Sequence, residues 1–210
     1  MTSNKLPIGV LTSHGGTNLQ AIIDAINTGQ LDAQIRVVIC NNSRAAAIER
    51  ARRGGIPVRH LSGKTHPNET ELDGAIASTL ADCGAEVVVL AGYMKKLGSS
   101  TLGRFSGHIL NVHPALLPKF GGRGMYGIRV HQAVLDAGET VSGVSIHVVD
   151  EEYDHGPIVA QRQVNVLADD SAEDLAARVL EQEHGLYAET LQQIAAGEID
   201  LSKLVNDWKS

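Results

Sequence analysis

The run Glu86-Val87-Val88-Val89-Leu90-Ala91 decides the fold class of this chain. Its centre is aliphatic and rich in β-branched valine, which favours a short strand over a helix. An apolar run without alternating polar residues is typical of a strand that is buried on both faces. Such strands occur in parallel sheets that are covered by helices on both sides, so this run predicts an α/β protein.

Short apolar runs alternate with longer amphipathic stretches around this strand. The other predicted strands of this part are Ile8–Ser13, Ile35–Cys40, Val58–Leu61 and Ile109–His113. The predicted helices are Leu19–Ile26, Ala45–Arg53 and Glu71–Cys83. This alternation indicates a doubly wound, Rossmann-like sheet that is mostly parallel and carries helices on both faces.

The pattern changes in the C-terminal third of the chain. Val141–Val149 and Ile158–Val166 are predicted strands with only a turn between them, which indicates an antiparallel extension of the sheet. A long helix is predicted from Ser171 to Ala195, and Ser171 and Asp174 are spaced as a capping box. The glycine-rich segment 119–129 predicts a long flexible loop. Without repeats or linkers, residues 1–210 are expected to form one domain.

Composition narrows the expected partners and compartment. Of 210 residues only 3% are aromatic, the formal net charge is −6, and no basic stripe is present, which argues against nucleic-acid binding. The apolar stretch near the N-terminus is too short for a secretory signal, and no stretch reaches the length of a membrane span. Cys40 and Cys83 have no metal-type spacing and are expected to be reduced and buried. We therefore expect a cytoplasmic protein that binds small molecules and no membrane.

The strongest functional pattern is Asn111-Val112-His113-Pro114, followed about forty residues later by Asp154. Because strand residues two apart share a face, Asn111 and His113 point the same way at the carboxyl end of a strand, where open α/β sheets bind ligands. An amide, an imidazole and a carboxylate together stabilise an oxyanion and move a proton, which acyl-type transfer requires. The alternative is a pair of polar residues that only satisfies local backbone groups. His147 is expected to give structural support.

A second pattern, Ser13-His14-Gly15-Gly16-Thr17-Asn18, lies between the first strand and the first helix. Free backbone N–H groups at a helix start bind anions, and glycine lets the backbone approach a phosphate closely. The GxGxxG and P-loop patterns are absent, so a phosphate monoester is favoured over a dinucleotide or ATP. An ordinary tight turn is the alternative.

Glu183 is placed in the middle of the apolar stripe of the last long helix. A buried carboxylate without a partner is costly, so Glu183 is expected to meet a donor or ligand hydroxyls such as those of a ribose. A structural hydrogen bond to a nearby loop is the equally weighted alternative. A further segment, Met94 to Leu97, is interpreted as one wall of an apolar pocket at the same sheet edge, or as a solvated loop.

Six blocks of this sequence resemble the phosphoribosylglycinamide formyltransferase family over nearly the whole length. They are Gly-Gly-Thr-Asn-Leu-Gln, Val-Val-Val-Leu-Ala-Gly-Tyr-Met, Asn-Val-His-Pro-Ala-Leu-Leu-Pro, Gly-Val-Ser-Ile-His-Val-Val-Asp, Asp-His-Gly-Pro-Ile-Val-Ala-Gln and Gln-Glu-His-Gly-Leu-Tyr. The resemblance implies transfer of a formyl group from 10-formyltetrahydrofolate, as cosubstrate, to the amine of N1-(5-phospho-D-ribosyl)glycinamide in de novo purine (IMP) biosynthesis. It implies no metal, and a monomer or homodimer.

The resemblance also implies roles for single residues. The catalytic positions are Asn111, His113 and Asp154, with Asp154 keeping His113 protonated. The ribonucleotide would be bound by Gly15, Gly16, Thr17, Asn18 and Glu183. The folate would be bound by Met94, Lys95, Lys96, Leu97, Asn111 and Asp154. The ribonucleotide half is expected at about residues 1–100 and the catalytic and folate half at about 86–195. Lys95 stands where many members have arginine, so the polar contact to folate does not carry over directly.

Three other functions share part of this evidence. A methionyl-tRNA formyltransferase would have the same three catalytic residues, Asn111, His113 and Asp154, which we call the trio. It normally carries a further domain and contacts tRNA, which this short, acidic chain does not favour. A formyltetrahydrofolate hydrolase would also have the trio, but it usually has an N-terminal regulatory domain. A non-catalytic module that binds sugar phosphates is the alternative from a different class, and the intact trio argues against it.

Overall fold

The computed structural model describes residues 5–210, which form one seven-stranded sheet with helices on both faces. The strands are β1 (Leu6–Thr12), β2 (Ala33–Cys40), β3 (Val58–His60), β4 (Val87–Leu90), β5 (Ile109–His113), β6 (Val141–Val148) and β7 (Ile158–Asn165). The helices are α1 (Thr17–Asn27), α2 (Ala46–Arg53), α3 (Glu69–Asp82), α4 (Ser99–Arg104), α5 (Ile128–Asp136), α6 (Ala172–Ala195) and α7 (Leu201–Lys209).

The strand order is β3-β2-β1-β4-β5-β6-β7. The five strands from β3 to β5 are parallel, and β6 pairs antiparallel with both β5 and β7, which is the predicted antiparallel extension. The chain winds outward from β1 to β3 and then returns to place β4 on the other side of β1. The carboxyl ends of β1 and β4 therefore form a topological switch point, which is where open α/β sheets bind ligands.

The central strand β4 is buried on both faces, as its valine-rich sequence predicts. Val87 and Val89 belong to the larger hydrophobic core, which α1, α2, α5 and α6 cover. Val88 and Leu90 belong to a second core on the opposite face, which α3 covers with Ile76 and Leu80. Alternation along one strand thus supplies both cores.

The capping of α6 follows its sequence. Ser171 Oγ accepts the backbone N–H of Asp174, and the Asp174 carboxylate accepts the backbone N–H of Ser171, each at 3.1 Å. This reciprocal pair is the predicted capping box. The apolar stripe of the helix, with Leu175 and Tyr187 fully buried, holds it across the sheet.

Three helices were not predicted from the sequence: α4, α5 and α7. The helix α5 begins at Ile128 and shortens the predicted loop 119–129 at its C-terminal end. Its glycine-rich approach conceals the helical spacing of Val130 and Val134, both fully buried. A second difference concerns the cysteines: Cys40 is buried, as expected, but Cys83 is only half-buried.

Two properties of residues 5–210 bear on ligands and location. No helix in this range is long and apolar enough to cross a membrane. The range also holds no group of three or more His, Cys, Asp or Glu side chains placed to share a metal ion. The absence of a required metal and the division into a ribonucleotide half and a folate half remain predictions.

Candidate active site

Asn111 and His113 lie at the carboxyl end of β5, facing the antiparallel strand β6. The strand register places Asn111 opposite His147 and His113 opposite Ser145. Asn111 Nδ2 lies 3.1 Å from His147 Nε2. His147 Nδ1 lies 3.0 Å from the carbonyl oxygen of Val148, so Nδ1 carries a proton and Nε2 accepts from Asn111. This contact uses one N–H of the amide and leaves the second N–H available.

Asp154 completes this cluster from the turn between β6 and β7. Its Oδ2 lies 3.4 Å from His113 Nδ1, and its Oδ1 lies 3.5 Å from His147 Nε2. Oδ2 also accepts the backbone N–H of Gly122 at 2.9 Å. The structure therefore brings together Asn111, His113, Asp154 and the supporting residue His147.

The loop before α5 approaches Asp154 closely. A Cβ at Gly121 would lie 3.2 Å from the Cβ of Asp154 and only 2.5 Å from a methyl group of Leu117. Asp154 itself has a φ of +55°, which L residues with side chains rarely adopt. Glycine at position 121 therefore lets the loop and the strained turn meet.

The imidazole of His113 is held in a defined tautomer. Its Nε2 lies 2.8 Å from the carbonyl oxygen of Phe120, which can only accept, so Nε2 carries a proton. Burial lowers the pKa of His113 and outweighs the opposing effects of Asp154 and the Phe120 carbonyl. Burial thus opposes the expectation that Asp154 keeps His113 protonated, and it favours a neutral resting ring with a bare Nδ1.

The carboxyl of Asp154 stays ionised. Burial acts to raise its pKa, but the attraction of the charge that His113 gains on protonation and the hydrogen bond from the N–H of Gly122 outweigh burial and hold the pKa below its ordinary value. The cluster thus pairs a neutral imidazole with a carboxylate, and protonation of His113 would create an ion pair. This arrangement suits a base that gains a proton only during a reaction.

Sequence reasoning missed the groups that fix the segment after His113. Ser145 Oγ donates to the carbonyl of Ala115 at 2.6 Å and accepts the N–H of Leu117 at 2.9 Å. Gln161 on β7 donates to both Ser145 Oγ and the Leu117 carbonyl. The alternation of Ser145 with His147 on β6 was the available signal. Another missed group is His131 on α5, which is buried and whose pKa burial lowers.

The segment 13–18, which we call the anion loop, lies at the start of α1, and this helix begins at Thr17. Gly16 adopts a φ of +70°, and a Cβ there would lie 2.6 Å from the Cβ of Ala47. A Cβ at Gly15 would meet nothing within 4 Å, so only Gly16 is required by the backbone. Position 16 provides no side chain that could cap the helix, which leaves the first-turn N–H groups of α1 without a side-chain acceptor. Arg50, which sequence reasoning missed, donates to the Gly15 carbonyl at 2.9 Å.

Glu183 is buried in the middle of α6 and has a partner on α1. Its Oε2 accepts the amide of Asn18 at 2.8 Å. Burial raises the pKa of Glu183 to about 7, although the hydrogen bond from Asn18 opposes this shift. The Oδ1 atom of Asn18 is buried without a hydrogen-bond partner among residues 5–210. The predicted buried carboxylate therefore joins the predicted anion loop.

The segment after β4 lines a large cleft. Lys95, Lys96 and Leu97 lie on one side of a cavity of about 980 Å³, whose other walls include Tyr93 and Glu151. The lining combines apolar side chains, such as Leu72 and Ile76, with the two lysines, so the segment is one wall of a cavity and its role in binding folate stays a prediction. Of the other residues predicted to bind folate, Met94, Asn111 and Asp154 do not line this cavity. The backbone N–H of Met94 instead donates to Ser13 Oγ, which ties this segment to the end of β1.

Fold and site together define a class of enzyme. The sequence profile described as formyl transferase matches residues 6–191, which span the sheet from β1 to β7 and most of α6. The chain therefore belongs to the formyl transferase family of enzymes.

Individual relatives are similar over most of this chain. A phosphoribosylglycinamide formyltransferase of Haemophilus influenzae is 40% identical, over 92% of this chain and 89% of the relative. The solved structure of glycinamide ribonucleotide transformylase 1 from Symbiobacterium toebii superimposes with a TM-score of 0.86 at 39% identity, covering 92% of this chain and 89% of the other. This agreement confirms the predicted fold.

The plant relatives are longer than this chain. A phosphoribosylglycinamide formyltransferase of Arabidopsis thaliana, named as chloroplastic, is 41% identical over 89% of this chain but only 64% of the relative. The chain thus spans about three fifths of the length of the plant relatives that it matches. Its cellular compartment remains a prediction.

Proposed function

We propose that this chain transfers a formyl group from 10-formyltetrahydrofolate to the amine of N1-(5-phospho-D-ribosyl)glycinamide in de novo purine biosynthesis. The observation that carries the proposal is the cluster of Asn111, His113 and Asp154 at the carboxyl edge of the sheet. The similarity to relatives named phosphoribosylglycinamide formyltransferase supports the choice of acceptor.

The proposed reaction starts with the neutral amine of the ribonucleotide. Its nitrogen lone pair attacks the formyl carbon, and the π electrons of the carbonyl move onto oxygen to give a tetrahedral intermediate. The amine nitrogen now carries an extra proton, which the bare Nδ1 of His113 accepts directly or through water. His113 then donates this proton to N10 of the folate as the C–N10 bond breaks and the carbonyl re-forms. The products are the N-formyl ribonucleotide and tetrahydrofolate.

Two groups stabilise the charges that develop on this path. The second N–H of Asn111 donates to the oxyanion, while its first N–H stays on His147 and fixes the orientation of the amide. One such donor contributes about 3 kcal/mol in the transition state. Asp154, at 3.4 Å from His113 Nδ1, stabilises the imidazolium that forms transiently. His147 supports both groups and holds no transferred proton.

The ribonucleotide is placed by the other half of the site. Its phosphate binds the free N–H groups at the start of α1, at Gly16, Thr17 and Asn18 beside Gly15, where the helix dipole favours an anion. Its ribose hydroxyls bind Glu183 and the unpartnered Oδ1 of Asn18. Because Glu183 is protonated or ionised near neutral pH, it can donate to or accept from a hydroxyl.

The folate cosubstrate occupies the opposite side of the trio. Its planar ring system lies near Asn111 and Asp154, and its tail follows the cleft along Lys95, Lys96 and Leu97, the segment that Met94 precedes. The exposed ammonium groups of Lys95 and Lys96 suit carboxylates of the tail. The reaction uses no metal, and we expect a cytoplasmic monomer or homodimer that contacts neither nucleic acid nor membrane.

The proposal is tested by mixing the protein with both substrates and following release of tetrahydrofolate. We expect release that depends on the ribonucleotide. Equal release with water as the only acceptor would identify a hydrolase, and formylation of methionyl-tRNA in preference to the ribonucleotide would identify the tRNA branch. Binding of the ribonucleotide without transfer would support a non-catalytic module.

The proposed ribonucleotide site at the anion loop and Glu183, which we call the ribonucleotide seat, is tested separately with Glu183→Ala. We expect the KM for the ribonucleotide to rise far more than the KM for folate, because the ribose and Asn18 lose a contact and both belong to the ribonucleotide site. Glu181→Ala is the matched control, since Glu181 is exposed on the same helix. Equal effects on both KM values would remove Glu183 from the ribose site.

A further inference from the structure

Trp208, in the last turn of α7, contacts the turn that carries Asp154. Its ring packs edge-on against the imidazole of His155, with 5.1 Å between ring centroids and 76° between planes. This geometry is a favoured one for aromatic pairs. The helix α7 lies beyond residues 6–191, the part matched by the family profile. The contact therefore joins the end of this chain to the residue next to Asp154.

The turn at Asp154 needs such support. The positive φ of Asp154 is a sparsely populated conformation that persists only when the surroundings hold it. Within the turn, Asp150 Oδ2 lies 2.9 Å from His155 Nδ1, and Asp150 Oδ1 accepts the N–H of Glu152 at 2.9 Å. His155 is therefore fixed by Asp150 from its own turn and by Trp208 from outside it.

The helix α7 is itself fixed to the body of the protein. Its first turn is capped by Asp200, which accepts the N–H of Lys203 at 3.0 Å, and Leu201 is buried in the larger core. Val205, one turn later, lies against Gly107, where a Cβ would be 3.5 Å from its methyl group. A helix anchored at these points holds Trp208 in place against the turn.

The other flank of the turn is held by a contact between a lysine and an aromatic ring. The ammonium of Lys96 lies 5.6 Å from the centre of the Tyr153 ring, which is within the range of a cation–π contact. Tyr153 and His155 are the two neighbours of Asp154 in sequence. The Asp154 turn is thus held from the cleft side by Lys96 and from the α7 side by Trp208.

We infer that Trp208 is a positioning residue for Asp154 and acts through His155. The inference rests on the proposed function, because Asp154 matters to turnover only if it stabilises the imidazolium of His113. Loss of the ring leaves His155 held by Asp150 alone, which loosens the turn and lets Asp154 relax from its strained φ. The oxygen that faces His113 then moves, and the chemical step slows while the ribonucleotide seat at Asn18 and Glu183 is unchanged.

The first experiment separates positioning from general stability. In Trp208→Ala we expect kcat to fall about three- to tenfold, the loss expected when one aromatic contact is removed. The KM for the ribonucleotide should stay within about twofold of the wild-type value. Trp208→Phe keeps an aromatic ring and should restore most of kcat, whereas Lys203→Ala, an exposed change on the same helix, should have no effect. Unchanged kcat in Trp208→Ala would overturn the inference, as would equal losses in the alanine and phenylalanine variants.

The second experiment tests whether the effect passes through His155. We expect the double variant Trp208→Ala with His155→Ala to be no slower than His155→Ala alone, because both changes remove one contact. Losses in kcat that multiply would show independent routes and would contradict the inference.

A third measurement does not depend on turnover. Trp208 is the only tryptophan of the chain, so its fluorescence reports its own surroundings. His155→Ala should change the emission of Trp208, and Lys203→Ala should not. Unaltered emission in His155→Ala would mean that the contact is absent. If the emission changes but the wild-type protein transfers no formyl group, the contact stands and the proposed function fails.

Discussion

Asn18 Nδ2 donates to Glu183 Oε2 at 2.8 Å and so joins the first turn of α1 to the middle of α6, across 165 positions of the sequence. The pair connects the anion loop with the long helix α6. It also leaves a carboxyl group with a pKa of about 7 inside the protein.

The first prediction concerns the stability of the fold at different pH values. Because the pKa of Glu183 is raised from 4.5 to about 7, the folded state favours the neutral carboxyl. Its contribution is therefore complete below about pH 4.5 and is lost as pH rises through 7. Between pH 4.5 and pH 8 the free energy of unfolding of the wild type should fall by about 3 kcal/mol relative to Glu183→Gln.

Urea unfolding of both proteins at several pH values measures this difference. The glutamine side chain keeps an acceptor for Asn18 and does not titrate, so other titrating groups cancel in the comparison. Glu181→Gln on the exposed side of α6 should follow the wild type. Parallel curves for the wild type and Glu183→Gln would show that the buried carboxyl does not titrate in this range.

A second prediction concerns Asp154→Asn. The amide cannot balance the charge of a protonated His113, so kcat should fall by about 10² to 10⁴. Binding of the ribonucleotide should persist, because Asn18 and Glu183 are untouched. Steady-state kinetics and calorimetric titration measure the two quantities. Glu152→Gln removes a carboxylate from the same turn and should turn over normally, and near-normal kcat in Asp154→Asn would remove Asp154 from the mechanism.

A third prediction compares two histidines by NMR titration. Burial lowers the pKa of His113 below 6.5, whereas the hydrogen bond from His155 to Asp150 raises the pKa of that exposed imidazole above 6.5. His155 should therefore become protonated first as pH falls. In Asp154→Asn the His113 pKa should fall further, because the carboxylate that raises it is gone. The reverse order of titration would contradict the neutral resting state of His113.

A fourth prediction concerns Asp73, which sequence reasoning did not single out. Its buried carboxylate accepts the N–H groups of Gly98 and Ser100 at the start of α4, and the Thr101 hydroxyl at 2.6 Å. Asp73→Ala leaves these donors without an acceptor and should destabilise the fold by about 2 to 4 kcal/mol. Thermal or urea unfolding measures the loss, with Asp82→Ala, an exposed change at the end of α3, as control.

Asp73→Ala also tests the folate side of the cleft. The segment from Lys95 to Leu97 leads directly into α4, so the KM for folate should rise more than the KM for the ribonucleotide. A fully stable Asp73→Ala protein with unchanged kinetics would show that Asp73 has no such role.

The sheet was predictable because its strands carry their own signal. The Glu86–Ala91 run, flanked by alternating helices, is enough to predict parallel strands buried on both faces, and the helix-free stretch after residue 140 predicts the antiparallel pair. The helices α4 and α7 are short and depend on contacts that local spacing does not contain. One is capped by Asp73 from another helix, and the other is held by Leu201 and Val205 against distant parts of the chain.

The trio was predictable in part. Strand alternation places Asn111 and His113 on one face, but no local pattern requires Asp154 to return to them across the intervening residues. The protonation of His113 could not be derived from the sequence, because a sequence shows the carboxylate partner and not the burial that opposes it. The roles of Ser145 and Gln161 were missed because both residues bond backbone groups of a loop, and the alternation of Ser145 with His147 on β6 does not reveal those partners.

The site is shared between two parts of the molecule that differ in how easily they open. Asn111, His113 and His147 stand on the paired interior strands β5 and β6, where we expect backbone amides to exchange with solvent only when the whole domain unfolds. Asp154 stands on an exposed turn held by a few side chains. In hydrogen exchange the amides of β5 should outlast those of residues 150–156 by orders of magnitude. The earliest loss on warming would therefore be the carboxylate, and catalysis would fade while the sheet and the ribonucleotide seat are still intact.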